Sequence, residues 1–271
     1  MGSGIAHAFA LKGFEVSLVE AKSELADKAL ALIVKNMDRQ AAKGTISTEE
    51  RGAALGRLKV APSIAQASGF HFAVEAVSER LDLKKQIFRE LEEAGTGAIL
   101  ATNTSSLSIT EIASAVKDPS RVIGMHFMNP VPVMKLVEII RGLRTSDETY
   151  QKTHEVALAL GKTPAVAKDF PGFISNRVLM PMINEAICCL MEGISTKEDI
   201  DTIMKLGMAH PMGPLELADY IGLDVCLAIM DVLREGYADS KYRPCPLLRQ
   251  MVQAGRLGVK TGSGFYEYPK K

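Results

Sequence analysis

The pattern of apolar residues changes once along the chain, and that change limits the folds the sequence can adopt. Short apolar runs typical of buried strands alternate with amphipathic helical patterns as far as Asp169. Beyond the turn signal Pro171-Gly172, helical spacing alone follows until the last few residues. Strand–helix alternation followed by helices predicts an α/β domain and then an all-α domain. We place these domains at residues 1–169 and 170–271.

The same patterns predict the individual elements. In the first domain, strands are expected at 15–20, 71–77, 98–103, 121–127, 135–140 and 163–169. Helices are expected there at 3–12, 24–43, 47–58, 80–95 and 146–161. In the second domain, helices are expected at 176–193, 197–206, 214–235 and 246–255.

The first twenty residues, MGSGIAHAFALKGFEVSLVE, are typical of the second half of a dinucleotide-binding βαβ unit. A helix that starts at Gly2 would present backbone N–H groups and a positive dipole end to a pyrophosphate. Glu20, 18 residues later, closes the next strand where an acid binds ribose hydroxyls and repels a 2′-phosphate. This pattern favours NAD over NADP. Both features also recur in α/β proteins that bind no nucleotide.

The segment ATNTSSLSI (101–109) places hydroxyl and amide side chains after a predicted strand. Open α/β sheets bind their ligands at the carboxyl ends of strands, so Ser105 is a candidate site residue. The alternative is that these hydroxyls cap the next helix, a role that Ser106 or Ser108 could fill.

A histidine and a glutamate lie near the ends of two successive predicted strands. If those strands are neighbours, Glu138 can hydrogen-bond one ring nitrogen of His126 and fix its tautomer, while the other nitrogen exchanges a proton with a substrate. Pro130 and Pro132 shape the connection between them. The alternative is an ordinary core or surface histidine.

The segment DFPGFISNR (169–177) carries a third candidate. Its glycine turn delivers Asn176 to the first turn of the helix that opens the second domain. An amide there can hydrogen-bond a carbonyl or oxyanion in a cleft between the domains. A helix cap is the alternative of equal weight.

Charge, hydropathy and cysteine spacing give no support for a nucleic-acid partner, a membrane span or a metal site. The chain has 32 basic and 32 acidic residues, which gives no reason to propose a nucleic acid or an anionic membrane as a partner. No apolar run reaches the roughly 18 residues of a membrane span. The four cysteines lack metal-type spacing, so we predict no metal site, and reduced thiols in a cytoplasmic protein are expected.

Together these motifs resemble the short-chain L-3-hydroxyacyl-CoA dehydrogenase family along essentially the whole chain. The matching segments are MGSGIAHAFA, VEAVSE, ATNTSSLSI, HFMNPVPVMKLVE, KDFPGFISNR, GMAHPMGPLELADYIGLD and KTGSGFYEY. The resemblance implies a Rossmann-type doubly wound sheet followed by a helical domain that binds substrate and forms a homodimer. It implies reversible, NAD-dependent oxidation of a (3S)-3-hydroxyacyl-CoA, with 3-hydroxybutyryl-CoA expected, to the 3-oxoacyl-CoA of fatty-acid β-oxidation.

The resemblance also implies residue roles. Its catalytic residues match Ser105, His126, Glu138 and Asn176. Its NAD-binding residues match Gly2, Glu20, Glu79, Lys84, Ser105, Asn129 and Lys260. Its contacts to the CoA moiety match Asn36 and Lys43.

One departure from the family concerns the nucleotide motif. The family pattern is G-x-G-x-M-G, and this sequence starts at the methionine of that pattern, so Gly2 matches the third glycine. In a Rossmann sheet the strand before the motif is central, and without it two neighbouring strands lose a ladder partner. We therefore expect an internal start or a fragment of a longer chain.

Two other functions remain open on the sequence. The first is a catalytically impaired family member that binds acyl-CoA or serves a structural role, because the nucleotide loop is shortened. The second is a different two-domain oxidoreductase, such as a sugar-acid dehydrogenase, in which a catalytic lysine replaces the His–Glu pair.

Overall fold

The computed structural model describes residues 1–269 and divides the chain into two compact units, Met1–Asp169 and Phe170–Lys271. The first unit alternates strands and helices, and the second is helical. This arrangement confirms the predicted fold class of a Rossmann-type α/β domain followed by an all-α domain.

The first unit contains seven strands among the described residues. They are β1 (Val16–Val19), β2 (Leu58–Ala61), β3 (Phe72–Glu75), β4 (Ile99–Thr102), β5 (Val122–Phe127), β6 (Leu136–Arg141) and β7 (Thr163–Lys168). The helices of this unit are α1 (Gly2–Leu11), α2 (Ser23–Ala42), α3 (Thr48–Gly56), α4 (Leu81–Ala94), α5 (Ile109–Ala113) and α6 (Asp147–Ala159).

The strands form two sheets. β1 and β2 pair in parallel, while the larger sheet has the order β3-β4-β5-β6-β7. Within the larger sheet β5 and β6 are antiparallel, and the other neighbours are parallel. As far as residues 1–269 show, β1 and β3 each pair along one edge only. The strands at the other ends of the two sheets, β2 and β7, do the same.

Helix α1 packs against the cores of both sheets. Its residues Ala6 and Ala10 join a cluster with Leu18 of β1 and with α2, whereas Ile5 and Ala8 join the core of the larger sheet. A helix of small and apolar residues can contact both sheets because its two apolar stripes are close together. The helix therefore connects the two sheets.

Two predicted elements differ from the structure. The helix expected over 47–58 ends at Gly56, and a strand follows at once and pairs with β1. The four residues of β2 are too short for an alternating pattern to show in the sequence. The helix expected over 214–235 is two helices, because Gly222 adopts a φ of +101° that only glycine tolerates readily.

As far as residue 269, the second unit packs five α-helices around its own core. These are α7 (Ser175–Met191), α8 (Lys197–Thr202), α9 (Pro214–Ile221), α10 (Leu223–Tyr237) and α11 (Pro246–Gln253), and α8 continues into a π-helical turn at Ile203–Gly207. The Asp219 carboxylate accepts hydrogen bonds from the backbone N–H groups of Phe265 and Tyr266, which ties the C-terminal segment to α9. None of the helices between residues 1 and 269 is long and apolar enough to cross a membrane.

Candidate active site

The structure brings His126 and Glu138 together. Strands β5 and β6 are antiparallel neighbours, and His126 lies directly opposite Glu138 in their register. His126 Nδ1 lies 3.1 Å from Glu138 Oε2, and both side chains are largely buried. A carboxylate at this distance fixes the orientation of the ring and favours a proton on Nδ1. This arrangement can support proton transfer, the role that the sequence analysis predicts for the pair.

The loop that carries Ser105 lies at the same edge of the sheet as His126. β4 and β5 are parallel, with Thr102 in register with Gly124, so both strands end at one edge. The Asn103 side chain joins them, because its Oδ1 accepts a hydrogen bond from Phe127 N at 2.9 Å. Asn103 was not among the predicted site residues. The signal that could have indicated it is an amide directly after a buried strand.

Glu79 holds the backbone and side chain of Ser105. Its Oε1 accepts hydrogen bonds from Ser105 N at 2.6 Å and from Ser105 Oγ at 3.0 Å. Thr104 Oγ1 donates to the same carboxylate, and Lys84 Nζ lies 3.4 Å from Glu79 Oε2. Three predicted site residues therefore form one connected group at the carboxyl ends of β3 and β4.

The alternative considered for the serines of this segment, that they cap the next helix, is correct for Ser108. Its hydroxyl accepts a hydrogen bond from Glu111 N and donates one to Asp169 Oδ2 at 2.8 Å, which fixes the start of α5. Asp169 also accepts from the backbone N–H groups of Ile109 and Thr110. Ser105 is outside this cap, so the two serines have different surroundings.

The start of α1 lies beside the end of β3. The nearest atom to a Cβ built on Gly2 is the Cβ of Ala76, at 3.9 Å, and Ala76 follows β3 directly. No side chain caps the helix. A Cβ on Gly4 would lie 3.2 Å from the Val131 side chain, so glycine there lets the turn after β5 pack closely on the helix. Glu20 directly follows β1, which comes after α1 and the turn at Gly13.

The other predicted ligand-binding residues of the first unit lie on a turn and on a helix. Asn129 lies in the turn between β5 and β6. Asn36 is half-buried on α2, and Lys43 is exposed at its C-terminal end. Lys35 and Arg39 of α2 are also exposed. With Lys43 they form a row of positive charges at intervals of four residues.

Two predicted residues belong to the second unit. Asn176 is the second residue of α7, in its first turn. Lys260 lies in the short turn Val259–Thr261, where its Nζ donates a hydrogen bond to the Asp224 carboxylate.

Family models match both units of the chain. Residues 1–170 match the model described as 3-hydroxyacyl-CoA dehydrogenase, NAD binding domain, and residues 172–268 match the model of the C-terminal domain of the same enzymes. The chain belongs to the 3-hydroxyacyl-CoA dehydrogenase family. It is accordingly an oxidoreductase, and its first unit is an NAD-binding domain.

Individual relatives of this dehydrogenase match it over almost their full length. A probable 3-hydroxybutyryl-CoA dehydrogenase of Bacillus subtilis is 52% identical over 272 residues, which covers 100% of this chain and 95% of the relative. The 3-hydroxybutyryl-CoA dehydrogenase of Bradyrhizobium diazoefficiens is 51% identical, with 99% and 92% covered. The crystal structure of (S)-3-hydroxybutyryl-CoA dehydrogenase from Ralstonia eutropha superposes with a TM-score of 0.97 at 46% identity, covering 100% of this chain and 96% of that one.

Several features of the dehydrogenase's first unit fit NAD. The uncapped start of α1 suits the pyrophosphate, and a carboxylate after β1 suits the adenosine ribose. Because Gly4 has no side chain, the turn after β5 can pack closely on α1. Glu20, Glu79 and Asn129 are the residues that we expect to hold the cofactor, and their individual roles stay predictions.

Proposed function

We propose that this dehydrogenase oxidises a (3S)-3-hydroxyacyl-CoA, with 3-hydroxybutyryl-CoA as its substrate, to the 3-oxoacyl-CoA in a reversible reaction. The observation that carries the proposal is the His126–Glu138 pair, with 3.1 Å between Nδ1 and Oε2, at the sheet edge where the Ser105 loop begins. The relatives named above, which share about half of their residues with this chain, support the choice of substrate.

The chemistry assigns one task to each residue. His126 removes the proton of the 3-hydroxyl group at Nε2, while Glu138 orients the ring and compensates the positive charge that it gains. When bound, NAD accepts the hydride from C3. Ser105 polarises the substrate oxygen, and we propose that Asn176 assists it. In the reverse direction the protonated His126 returns its proton to the developing alkoxide.

The test is an assay in which the enzyme oxidises NADH with acetoacetyl-CoA as substrate. The fall in NADH absorbance measures the rate. We expect His126→Gln to lower kcat by about 10²–10⁴-fold, because the general base is lost. Glu138→Gln should lower kcat less, since the ring remains but is no longer held by a carboxylate. His71→Gln changes an exposed histidine just before β3 and is the matched control.

Two results would contradict the proposal in different ways. If the unchanged chain binds acyl-CoA but does not turn it over, the impaired family member is the better interpretation. If His126→Gln keeps most of the activity, another residue is the base, as in the dehydrogenases that use a lysine.

The charges on α2 support binding of the CoA moiety. Lys35, Arg39 and Lys43 are exposed on consecutive turns, and CoA carries several phosphate charges. Lys43 and the half-buried Asn36 are the residues that we propose to contact CoA.

We further propose that two copies of the chain form a homodimer through the second unit. The support is a set of exposed apolar side chains on that unit, among them Val178 of α7 and Leu206 of the π-helical turn, which are 67% and 83% exposed. A cytoplasmic location stays a prediction that rests on the free cysteines.

A further inference from the structure

A buried ion pair lies directly beneath the Ser105 loop. Lys84 Nζ of α4 and Glu75 Oε1 of β3 are 2.7 Å apart, and the two side chains are 1% and 0% exposed. Burying two charges is costly unless their geometry and hydrogen bonds compensate. Stability alone is a weak explanation for such a pair, because replacing a buried ion pair by apolar residues of similar size is often neutral or stabilising.

Every oxygen of the Glu75 carboxylate has a hydrogen-bond donor. Oε1 also accepts from Val77 N at 2.7 Å, and Oε2 accepts from Thr102 Oγ1 of β4 at 2.7 Å. Glu75 therefore connects the end of β3, the end of β4 and helix α4. Its position is fixed from three directions, so it can fix the position of Lys84 in turn.

From Glu75 two routes lead to the Ser105 loop. The first runs through Lys84 Nζ, which lies 3.4 Å from Glu79 Oε2, and Glu79 accepts both hydrogen bonds of Ser105 described above. The second runs through Thr102 Oγ1, which accepts from Thr104 N at 3.2 Å, and Thr104 donates to Glu79. Both routes end on the Glu79 carboxylate.

We propose that Glu75 is a positioning residue of the reaction, which sets the place of Ser105 through Lys84 and Glu79. The proposal rests on the proposed function, in which Ser105 polarises the substrate oxygen. Glu75 is buried at the base of this network, so it acts through Ser105 and not on the substrate. A displaced Ser105 would miss the oxygen, and misplacements of about 1 Å can cost on the order of 10² in rate.

The first experiment compares Glu75→Gln with the unchanged chain in the acetoacetyl-CoA assay, well below the unfolding temperature. Glutamine keeps the shape of the side chain but removes the charge that holds Lys84. We expect kcat to fall by up to about 100-fold, with a smaller change in KM for acetoacetyl-CoA. Thr102→Val removes the hydrogen bond to Oε2 and the one that Thr102 Oγ1 accepts from Thr104 N, but it keeps the Lys84–Glu75 ion pair and should lower kcat less. It also serves as the test if Glu75→Gln does not fold.

The matched control is Lys85→Met, on the same helix. Lys85 pairs with Glu111 at 3.1 Å in an ion pair close to solvent, and that pair does not reach Glu79. The kcat of this variant should equal that of the unsubstituted chain. A fall in kcat equal to that of Glu75→Gln would show that any change of charge on α4 disturbs the enzyme, and it would overturn the proposal.

A double-mutant cycle with Ser105→Ala separates positioning from general destabilisation. If Glu75 acts through Ser105, then Glu75→Gln has little further effect on kcat in the Ser105→Ala background. Additive losses, or an unchanged kcat with a lowered unfolding temperature, would overturn the proposal. If Ser105→Ala itself has the unchanged activity, the proposed function of Ser105 fails instead, so the two failures are distinguishable.

Discussion

At the scale of single residues, His7 on α1 is a buried titratable group, with one ring nitrogen unpaired in the described part of the chain. It is 1% exposed, and its Nε2 lies 2.9 Å from Gln40 Oε1 of α2. Its Nδ1 has no hydrogen-bond partner among residues 1–269. Burial lowers the pKa of His7, and the hydrogen bond with Gln40 only partly offsets this. A second proton would have to reside on Nδ1, where no acceptor is present.

This environment predicts a loss of stability in mild acid. The unfolded chain takes up a proton on His7 near the ordinary pKa of about 6.5, while the folded chain does so only at lower pH. The free energy of unfolding should therefore fall as the pH drops below about 6.5 and level off below the folded-state pKa. Urea unfolding between about pH 7 and pH 5 measures the slope.

The variant His7→Gln is the comparison for this prediction. Glutamine can still pair with Gln40 but does not titrate, so its unfolding free energy should depend less on pH over the same window. Parallel slopes for the two proteins would show that other groups cause the acid sensitivity.

At the scale of elements, Lys162 fixes the turn between the two strands of the His–Glu pair. Its Nζ donates hydrogen bonds to the carbonyl oxygens of Val131 at 2.5 Å and Met134 at 2.7 Å, and the residue is buried. Burial, together with the charge of Lys12, lowers the pKa of Lys162. The turn it holds contains Asn129 and packs on the start of α1, so Lys162 contributes to the geometry of the proposed cofactor site.

Replacing this lysine by methionine tests the role of the turn. Lys162→Met removes the Lys162 hydrogen bonds from the buried carbonyl of Val131 and the partly buried carbonyl of Met134, and we expect the free energy of unfolding to fall by about 1–3 kcal/mol. The KM for NADH should rise because Asn129 is less well held, while kcat at saturating NADH changes little. Lys152→Met, which breaks an exposed pair with Glu148, is the control. An unchanged KM for NADH would contradict this account of the turn.

Much of the site at this scale could be predicted from the sequence. Polar residues at the ends of apolar runs indicated His126, Glu138 and Ser105, because strand ends are where open α/β sheets bind ligands. The strand β2 and the separation of α9 from α10 were not predicted. Both depend on contacts or backbone angles of a few residues, which leave no periodic pattern.

At the scale of the whole molecule, the exposed apolar side chains of the second unit predict self-association. Burying residues such as Val178 and Leu206 in a second copy would remove apolar surface from water. We expect light scattering to give twice the mass of one chain, and Leu206→Glu to shift the protein toward monomer. Leu143→Glu is the control, because Leu143 is 85% exposed on the first unit. A Leu206→Glu variant that stays dimeric would exclude this surface.

The two sheets of the first unit also belong to this scale. Helix α1 packs on the cores of both, with different residues on each. Contacts between residues far apart in the sequence determine which helix connects the two sheets. Small residues on successive turns, such as Ala6 and Ala10, indicate a helix that tolerates close contacts, but they do not indicate which element it contacts.

The sequence by itself determined the fold class, the division near Asp169 and the candidate reacting pair. These features rest on local patterns: apolar periodicity, turn residues and polar side chains at strand ends. The motifs quoted above also indicate the family by themselves.

Only the tertiary structure decided how the candidates are connected. It showed that Lys84 is buried against Glu75 and that Ser108 caps a helix while Ser105 is held by Glu79. The partners in these contacts come from different elements, and Ser105 and Glu79 are separated by 26 residues. Burial and pairing of charges depend on which elements the fold brings together, and no local pattern in the sequence encodes that choice.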